Sequence, residues 1–353
     1  MFALCMCGAA TAQDKKIPKR RRPRYPAAPT VAKRKPVAAS LPARSWDPVV
    51  RETLERFIIA HGSAAPAYTV TSPPTAAIIW EDVAFLRHPG EAVFRRMVDR
   101  AEFKFSDAFW ELIPEHYRPR ARTGYGGFHD LPVVVWPKDP YYGMFRKAMF
   151  SAYEDLCRAE GARVCRAWLV RLLSGFSDTN ISLYMKQAVE EEEKLPLALE
   201  SISESSADEN PSHARVGMRD IPEMKDLVKA LLDNGFDVWI LSSSNQWVAE
   251  VSAARYGINP SRVVGIRCRV RNRILFDTIL DPIPIGTGEA EALARSLGSA
   301  PDLVVGAKED KELLEYGGGD GMRLVMDRGD IAFRSYARGQ GWLIQPAFAS
   351  ATE

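Results

Sequence analysis

No segment beyond the N-terminus holds the ~20 unbroken apolar residues that a membrane-spanning helix needs, so no transmembrane span is expected. Cysteine is scarce, with five residues in 353. Cys5 and Cys7 lie at the extreme N-terminus, and Cys268 stands alone and reads as structural. Cys157 and Cys165 are eight apart, at the end of one helical pattern and the start of the next. A turn there brings their Cα atoms within disulfide range. In an oxidising compartment they are expected to pair; in the cytosol they are two buried thiols. A basic face is missing as well. Residues 1–45 hold 11 Lys/Arg and one acid, Asp14, while the remainder has 36 Lys/Arg against 44 Asp/Glu, a net of −8. An acidic body argues against nucleic acid as a partner.

What is present begins with a processing signature. Phe2 to Ala12 are mostly apolar or small, and Ala10-Thr11-Ala12 before Gln13 resembles an A-x-A cleavage site. A basic n-region is lacking, and a start codon placed too far downstream accounts for that. Residues 1–12 are therefore read as a signal peptide and the protein as periplasmic or secreted. The alternative is a cytoplasmic protein with a disordered N-terminus. Met6 sits where a lipobox wants a small residue, so Cys5 and Cys7 fit a lipid anchor poorly. Residues 13–45 are expected to be a disordered basic tail, with Lys19-Arg20-Arg21-Arg22, Lys33-Arg34-Lys35 and seven prolines between Pro18 and Pro48. Such a tail is a solvated linker, or contacts an anionic surface.

With 46% hydrophobic and 26% charged residues, the rest suffices for one large domain or a core with an inserted smaller one. Helical spacing marks residues 46–61, and Thr75 to Trp80 is a short apolar run that reads as a buried strand. Helices follow at 90–103 and 106–112. A Gly- and aromatic-rich stretch around Tyr125, Gly126 and Gly127 reads as a loop. Further helices are expected at 141–160, 164–173 and 178–193, then a loop at 201–213. From Asp220 the pattern alternates: helix 221–234, strand 236–241, helix 246–256, strand 262–266, a hairpin over 269–280, helix 289–297, and strands 303–305 and 323–327, the last expected to end the sheet. Alternation of this kind gives an α/β parallel sheet. The expected division is 46–90 and 220–345 for a Rossmann-like core, with 91–219 as a mainly helical insertion.

A strand, a helical insertion and then βα units form the outline of the haloacid-dehalogenase (HAD) superfamily with its cap. Four stretches make the resemblance specific. Ala77 to Ala92 resembles the nucleophile strand and loop. Cys165-Arg166-Ala167-Trp168 and Ser174-Gly175-Phe176 resemble the cap, Trp239 to Ser244 the second motif, and Arg262 to Ile266 the strand after it. The likeness covers roughly residues 75–330 and is to the phosphoserine phosphatase and phosphorylcholine phosphatase branch. It implies an aspartate nucleophile, an aspartate acid two residues on, a phosphate-binding Ser, a Lys, and Mg²⁺ on a further Asp. Each role has a reason: a carboxylate to attack, an acid beside it, hard oxygens for Mg²⁺, and a cation against the transferring charge.

These residues are missing. Without gaps, Ile79 takes the nucleophile position, Glu81 the acid and Val83 the motif's Thr; a one-residue slip offers Trp80 and Asp82. No frame between 76 and 88 gives two carboxylates two apart. Ser242 is retained at the phosphate-binding position, or else merely caps a strand. Glu289 stands at the Lys position, and Ala307 and Lys311 stand at the metal-binding Asp positions. Lys311 is expected to replace Mg²⁺ by pairing with Glu81 or Glu289.

The reading is a pseudophosphatase with no intact catalytic residue, no expected cofactor, and an unknown protein or envelope partner. One alternative is an active phosphomonoester hydrolase using Glu81, Asp82, Asp310 and Ser242, with Asp310 as the remaining metal ligand for Mg²⁺. The other is a non-hydrolysing phosphate- or choline-type binder with Trp80, Trp247 and Tyr125 as an aromatic cage.

Overall fold

A computed structural model of the chain describes residues 39–319 and 321–348. Residues 1–12, and the tail up to residue 38, lie outside the described residues. The strands in chain order are β1 (Thr75–Ile79), β2 (Phe85–Leu86), β3 (Ala198–Ile202), β4 (Ser212–Val216), β5 (Arg219–Asp220), β6 (Asp237–Asn245), β7 (Val263–Arg271), β8 (Ile274–Leu280), β9 (Leu303–Gly306), β10 (Met322–Asp327) and β11 (Leu343–Pro346). Seven form one sheet in the order β11-β10-β9-β1-β6-β7-β8. All its pairings are parallel except β7 with β8.

β1 is central because after Thr75 its residues are apolar: Ala76, Ala77 and Ile78 are fully buried. The chain leaves β1 towards β6 on one side and returns to β9 on the other. The strand ends of β1, β6 and β9 thus flank a switch point, where parallel sheets leave a crevice.

Between β1 and β6 the chain adds no strand to the sheet. This segment leaves and re-enters through a short antiparallel ribbon, with Phe85 opposite Asp220 and Leu86 opposite Arg219. It consists of helices, chiefly Pro89–Asp99, Pro140–Glu160, Ala162–Arg171 and Ile181–Glu192, and the β3–β4 hairpin. Cys157 and Cys165 are joined across the turn between two of these helices, with Cα atoms 5.0 Å apart. Cys268 is a buried free thiol whose pKa burial pushes up to about 11.

Several sequence expectations need correction. The stretch around Gly126 is not a loop but part of the helix Arg118–Phe128. Its glycines lower helix propensity, yet they allow close packing on Pro140–Glu160: a Cβ at Gly127 would fall 2.3 Å from the Tyr141 ring, and one at Gly124 2.8 Å from the Tyr141 carbonyl. The 201–213 loop is bracketed by the β3–β4 hairpin. β10 is not the last strand; the helix Ile331–Gly339 and β11 follow. Residues 39–45 are not free tail. Ala39 and Leu41 are buried, and the Leu41 amide donates to Glu55 Oε1 at 2.8 Å. Apolar side chains here are covered by the body, which offsets the ordering entropy that proline and charge otherwise leave unopposed.

Candidate active site

Ile79, the last residue of β1, opens with its neighbours onto a cleft of about 180 Å³. Glu81, Asp82, His88, Arg166, Ser243, Glu289, Asp310 and Arg328 share its lining. The sequence-derived positions Ile79, Glu81, Glu289 and Asp310 therefore converge. Ile79, which the resemblance places at the nucleophile position, presents an alkyl group, 7% exposed.

Glu81 does not project as a free acid. Its Oε1 accepts from Ser242 Oγ at 2.5 Å and Ser244 Oγ at 2.7 Å. Its Oε2 accepts from the Ser243 amide at 2.9 Å and Ser243 Oγ at 3.3 Å. Four donors fill the acceptor sites of one carboxylate. Burial raises its pKa, and the serine hydrogen bonds pull it partly back. Ser242, expected to hold a phosphoryl oxygen, thus holds Glu81. It serves as a strand-end cap as well, accepting from the Ser244 amide at 3.1 Å.

His88 supports this cradle and had no signal in the sequence reading. It caps the helix Pro89–Asp99, its Nδ1 accepting from the Glu91 amide at 3.3 Å. The ring proton is therefore on Nε2, which donates to Ser243 Oγ at 2.9 Å. Burial, helped by the Arg166 charge, lowers its pKa to about 3, so the ring is neutral. With Nε2 donating, His88 cannot act as a base towards Ser243.

Arg166 and Glu91 were also not singled out. Arg166 donates to Glu91 and to the Tyr153 hydroxyl, and Tyr153 donates to Glu91 at 2.8 Å. Burial works to raise the Glu91 carboxyl, but the Arg166 charge and the hydrogen bonds from Arg166 and Tyr153 together hold the pKa down at about 2. The only legible signal was Arg166 lying inside the Cys165–Trp168 stretch.

Asp82 faces elsewhere. Its Oδ1 accepts from the Arg87 amide at 2.7 Å and its Oδ2 pairs with Arg215 at 3.0 Å. Its φ of +54° is strained for a side chain with a Cβ. Glu289 Oε1 accepts from the Gly286 amide at 3.1 Å, and Asp310 Oδ2 from the Ala307 amide at 2.7 Å. Burial raises both carboxyls, Glu289 the further because the Asp310 charge adds to it. Glu289 accordingly carries a proton at neutral pH. The expected ion pair is absent: Lys311 Nζ lies 3.5 Å from Glu315 and over the Tyr336 ring, because its helix directs it to the residue four positions on.

These residues do not fit Mg²⁺. The positions that the family resemblance assigns to its carboxylate ligands hold Ile79, Ala307 and Lys311, an alkyl group, a methyl and an ammonium, none of which can ligate Mg²⁺. Among the described residues no three His, Cys, Asp or Glu converge on a metal position. Nor do the candidate cage aromatics meet. Trp80 is buried between Phe85 and Tyr256, Tyr125 stacks on Phe105, and Trp247 packs against the core separately. Each ring meets its own neighbours.

No protein-family model matches the chain. Phosphorylcholine phosphatase from Pseudomonas aeruginosa is 26% identical over 133 residues, which are 36% of this chain and 36% of that protein. The match thus spans about a third of the curated relative. The crystal structure of a conserved protein of unknown function from Anaerococcus prevotii superposes with a TM-score of 0.75 at 18% identity, covering 87% of this chain and 94% of that one. A HAD-family hydrolase from Salmonella enterica serovar Typhi gives a TM-score of 0.41 at 12% identity, over 74% of this chain and 66% of that one.

Proposed function

We propose that this chain, which has the α/β fold of the HAD-type phosphatases and resembles their phosphorylcholine phosphatase branch, is a pseudophosphatase with a binding or structural role. The observation that carries this reading is Ile79 at the end of β1. An alkyl side chain has no electron pair to form a phosphoenzyme, and loss of a covalent nucleophile removes most of a rate enhancement. The surrounding carboxylates do not compensate. Glu81 is bound by serines, Asp82 by Arg215, and Glu289 and Asp310 by backbone amides. A relocated hydrolase would need these groups free and aimed at one reacting atom.

The test is turnover of p-nitrophenyl phosphate by the purified full chain with Mg²⁺. No turnover above a heat-treated control is expected. Turnover that disappears in Glu81→Ala would establish a relocated hydrolase and overturn the reading.

The site of action we propose is the cell envelope. The Cys157–Cys165 bond supports it, since such bonds persist where thiols are oxidised. Fractionation of cells that express the full chain should place it outside the cytoplasm, and a purely cytosolic distribution would refute this part.

A further inference from the structure

A buried carboxylate is stable only where the surroundings replace its hydration. Glu81 makes no ion pair among the described residues, yet it is enclosed by three hydroxyls and one amide. The donors are fixed from behind. His88 Nε2 donates to Ser243 Oγ, so this hydroxyl spends its own proton on Glu81. The Gly90 amide donates to Ser244 Oγ at 3.0 Å, and the Ser244 amide to Ser242 Oγ. Each serine oxygen is thereby used as an acceptor, and its proton is turned towards the carboxylate. Two helices begin beside the same point: Pro89–Asp99, whose first turn supplies the Gly90 amide, and Gln246–Ala254, capped by Asn245. Their partial positive ends favour an anion there. The three serine hydroxyls and the Ser243 amide that face Glu81 are donors of the kind that receive an oxoanion.

We infer that Ser242, Ser243 and Ser244 form an oxoanion site that the chain keeps closed with its own Glu81 side chain, and that removing this side chain converts it into a site for a small external oxoanion. The inference deepens the pseudophosphatase reading of the cleft. An internal carboxylate of this kind competes at a high effective concentration, so a dissolved phosphate meets donors that are already filled. The unsubstituted protein is therefore closed to phosphate through this cradle. Glu81→Ala leaves the four donors aimed at a vacated volume the size of a carboxylate. Formate reproduces the two coplanar oxygens that were lost, and inorganic phosphate presents the same pair of oxygens on a tetrahedral centre.

The test compares thermal unfolding of the full chain and of Glu81→Ala in sodium formate, sodium phosphate, and sodium chloride of matched ionic strength. The variant is expected to melt lower than the unsubstituted protein in chloride. Formate or phosphate should raise its melting temperature by about 2 °C at tenfold excess over the dissociation constant, by mass action. The unsubstituted protein should respond to neither. A double variant, Glu81→Ala with Ser242→Ala, should lose most of the response and so locates it. A folded Glu81→Ala protein insensitive to both anions overturns the inference, as does an equal response of the two proteins. If Glu81→Ala is recovered only as aggregate, refolding from urea in formate against chloride is the readout. Formate-dependent recovery supports the inference, and equal failure in both salts overturns it. The measurement is of binding alone, so it stands or falls separately from the turnover assay.

Discussion

At the scale of single residues, the cleft has changed its charge economy. Where a HAD phosphatase is expected to bring a cation and a metal to a transferring anion, this chain brings Glu289 beside Asp310 and raises both carboxyls. Both carboxyls are raised relative to the unfolded chain. Their contribution to stability is therefore complete below the ordinary carboxylate range, near pH 4, and is lost as pH climbs towards the raised values. Glu289→Gln keeps an oxygen for the Gly286 amide and removes the titration. It is expected to raise the melting temperature at pH 8–9 and to leave it nearly unchanged at pH 4. A gain of about 1 kcal/mol corresponds to roughly 1–2 °C for a protein of this size. Calorimetry across that pH range checks it. A variant less stable than the original at pH 9 would mean that Glu289 is ionised and usefully paired.

At the scale of elements, the helix Arg118–Phe128 separates local propensity from packing. Gly126 and Gly127 are adjacent and chemically identical. A Cβ at Gly126 meets nothing within 4 Å, whereas one at Gly127 meets the Tyr141 ring. Gly126→Ala is expected to stabilise by about 0.5–1 kcal/mol through helix propensity and a less flexible unfolded chain. Gly127→Ala gains the same propensity but must displace a ring. A net loss of about 1–3 kcal/mol is expected, as for other overpacked sites. Urea unfolding of the two variants reads the opposite signs directly. Two stabilised variants would mean that the two helices are not in close contact.

At the scale of the molecule, the two ends of the described chain are fastened to one another. Trp46 packs edge-on against Phe348 with ring centroids 4.9 Å apart, and both are buried. The Asp47 amide donates to Gln345 Oε1 at 2.9 Å, and Gln345 Nε2 donates to the Ser45 carbonyl at 3.2 Å. Residues just after the basic tail thus close over β11 at the edge of the sheet. Trp46→Ala is expected to cost about 3–5 kcal/mol, as large-to-small changes of aromatic residues in cores do. The loss should appear in the global unfolding midpoint, although Trp46 lies outside the cleft. A midpoint shift under 1 kcal/mol would show that the terminal segment docks without contributing to the fold.

What the sequence by itself determined is the α/β alternation, the apolar central strand and the lack of two carboxylates two apart after it. Each of these is written in neighbouring residues: periodicity is local, and no register of residues 76–88 supplies paired carboxylates. Ile79, Glu81, Glu289 and Asp310 were legible as one site because the family resemblance assigns each a place at the same end of the sheet. Tertiary structure alone decided what these groups do. Whether Glu81 projects as an acid or is bound by serines depends on contacts across 161 positions of chain. Whether Lys311 reaches the cleft depends on the direction of its helix, and whether Gly126 sits in a loop or a helix depends on Tyr141. The roles of His88, Arg166 and Glu91 were not legible, because a hydrogen-bond network between distant segments leaves no periodic trace. Burial and the choice of partner are properties of the assembled fold, and they set the charge state of every carboxylate in the cleft.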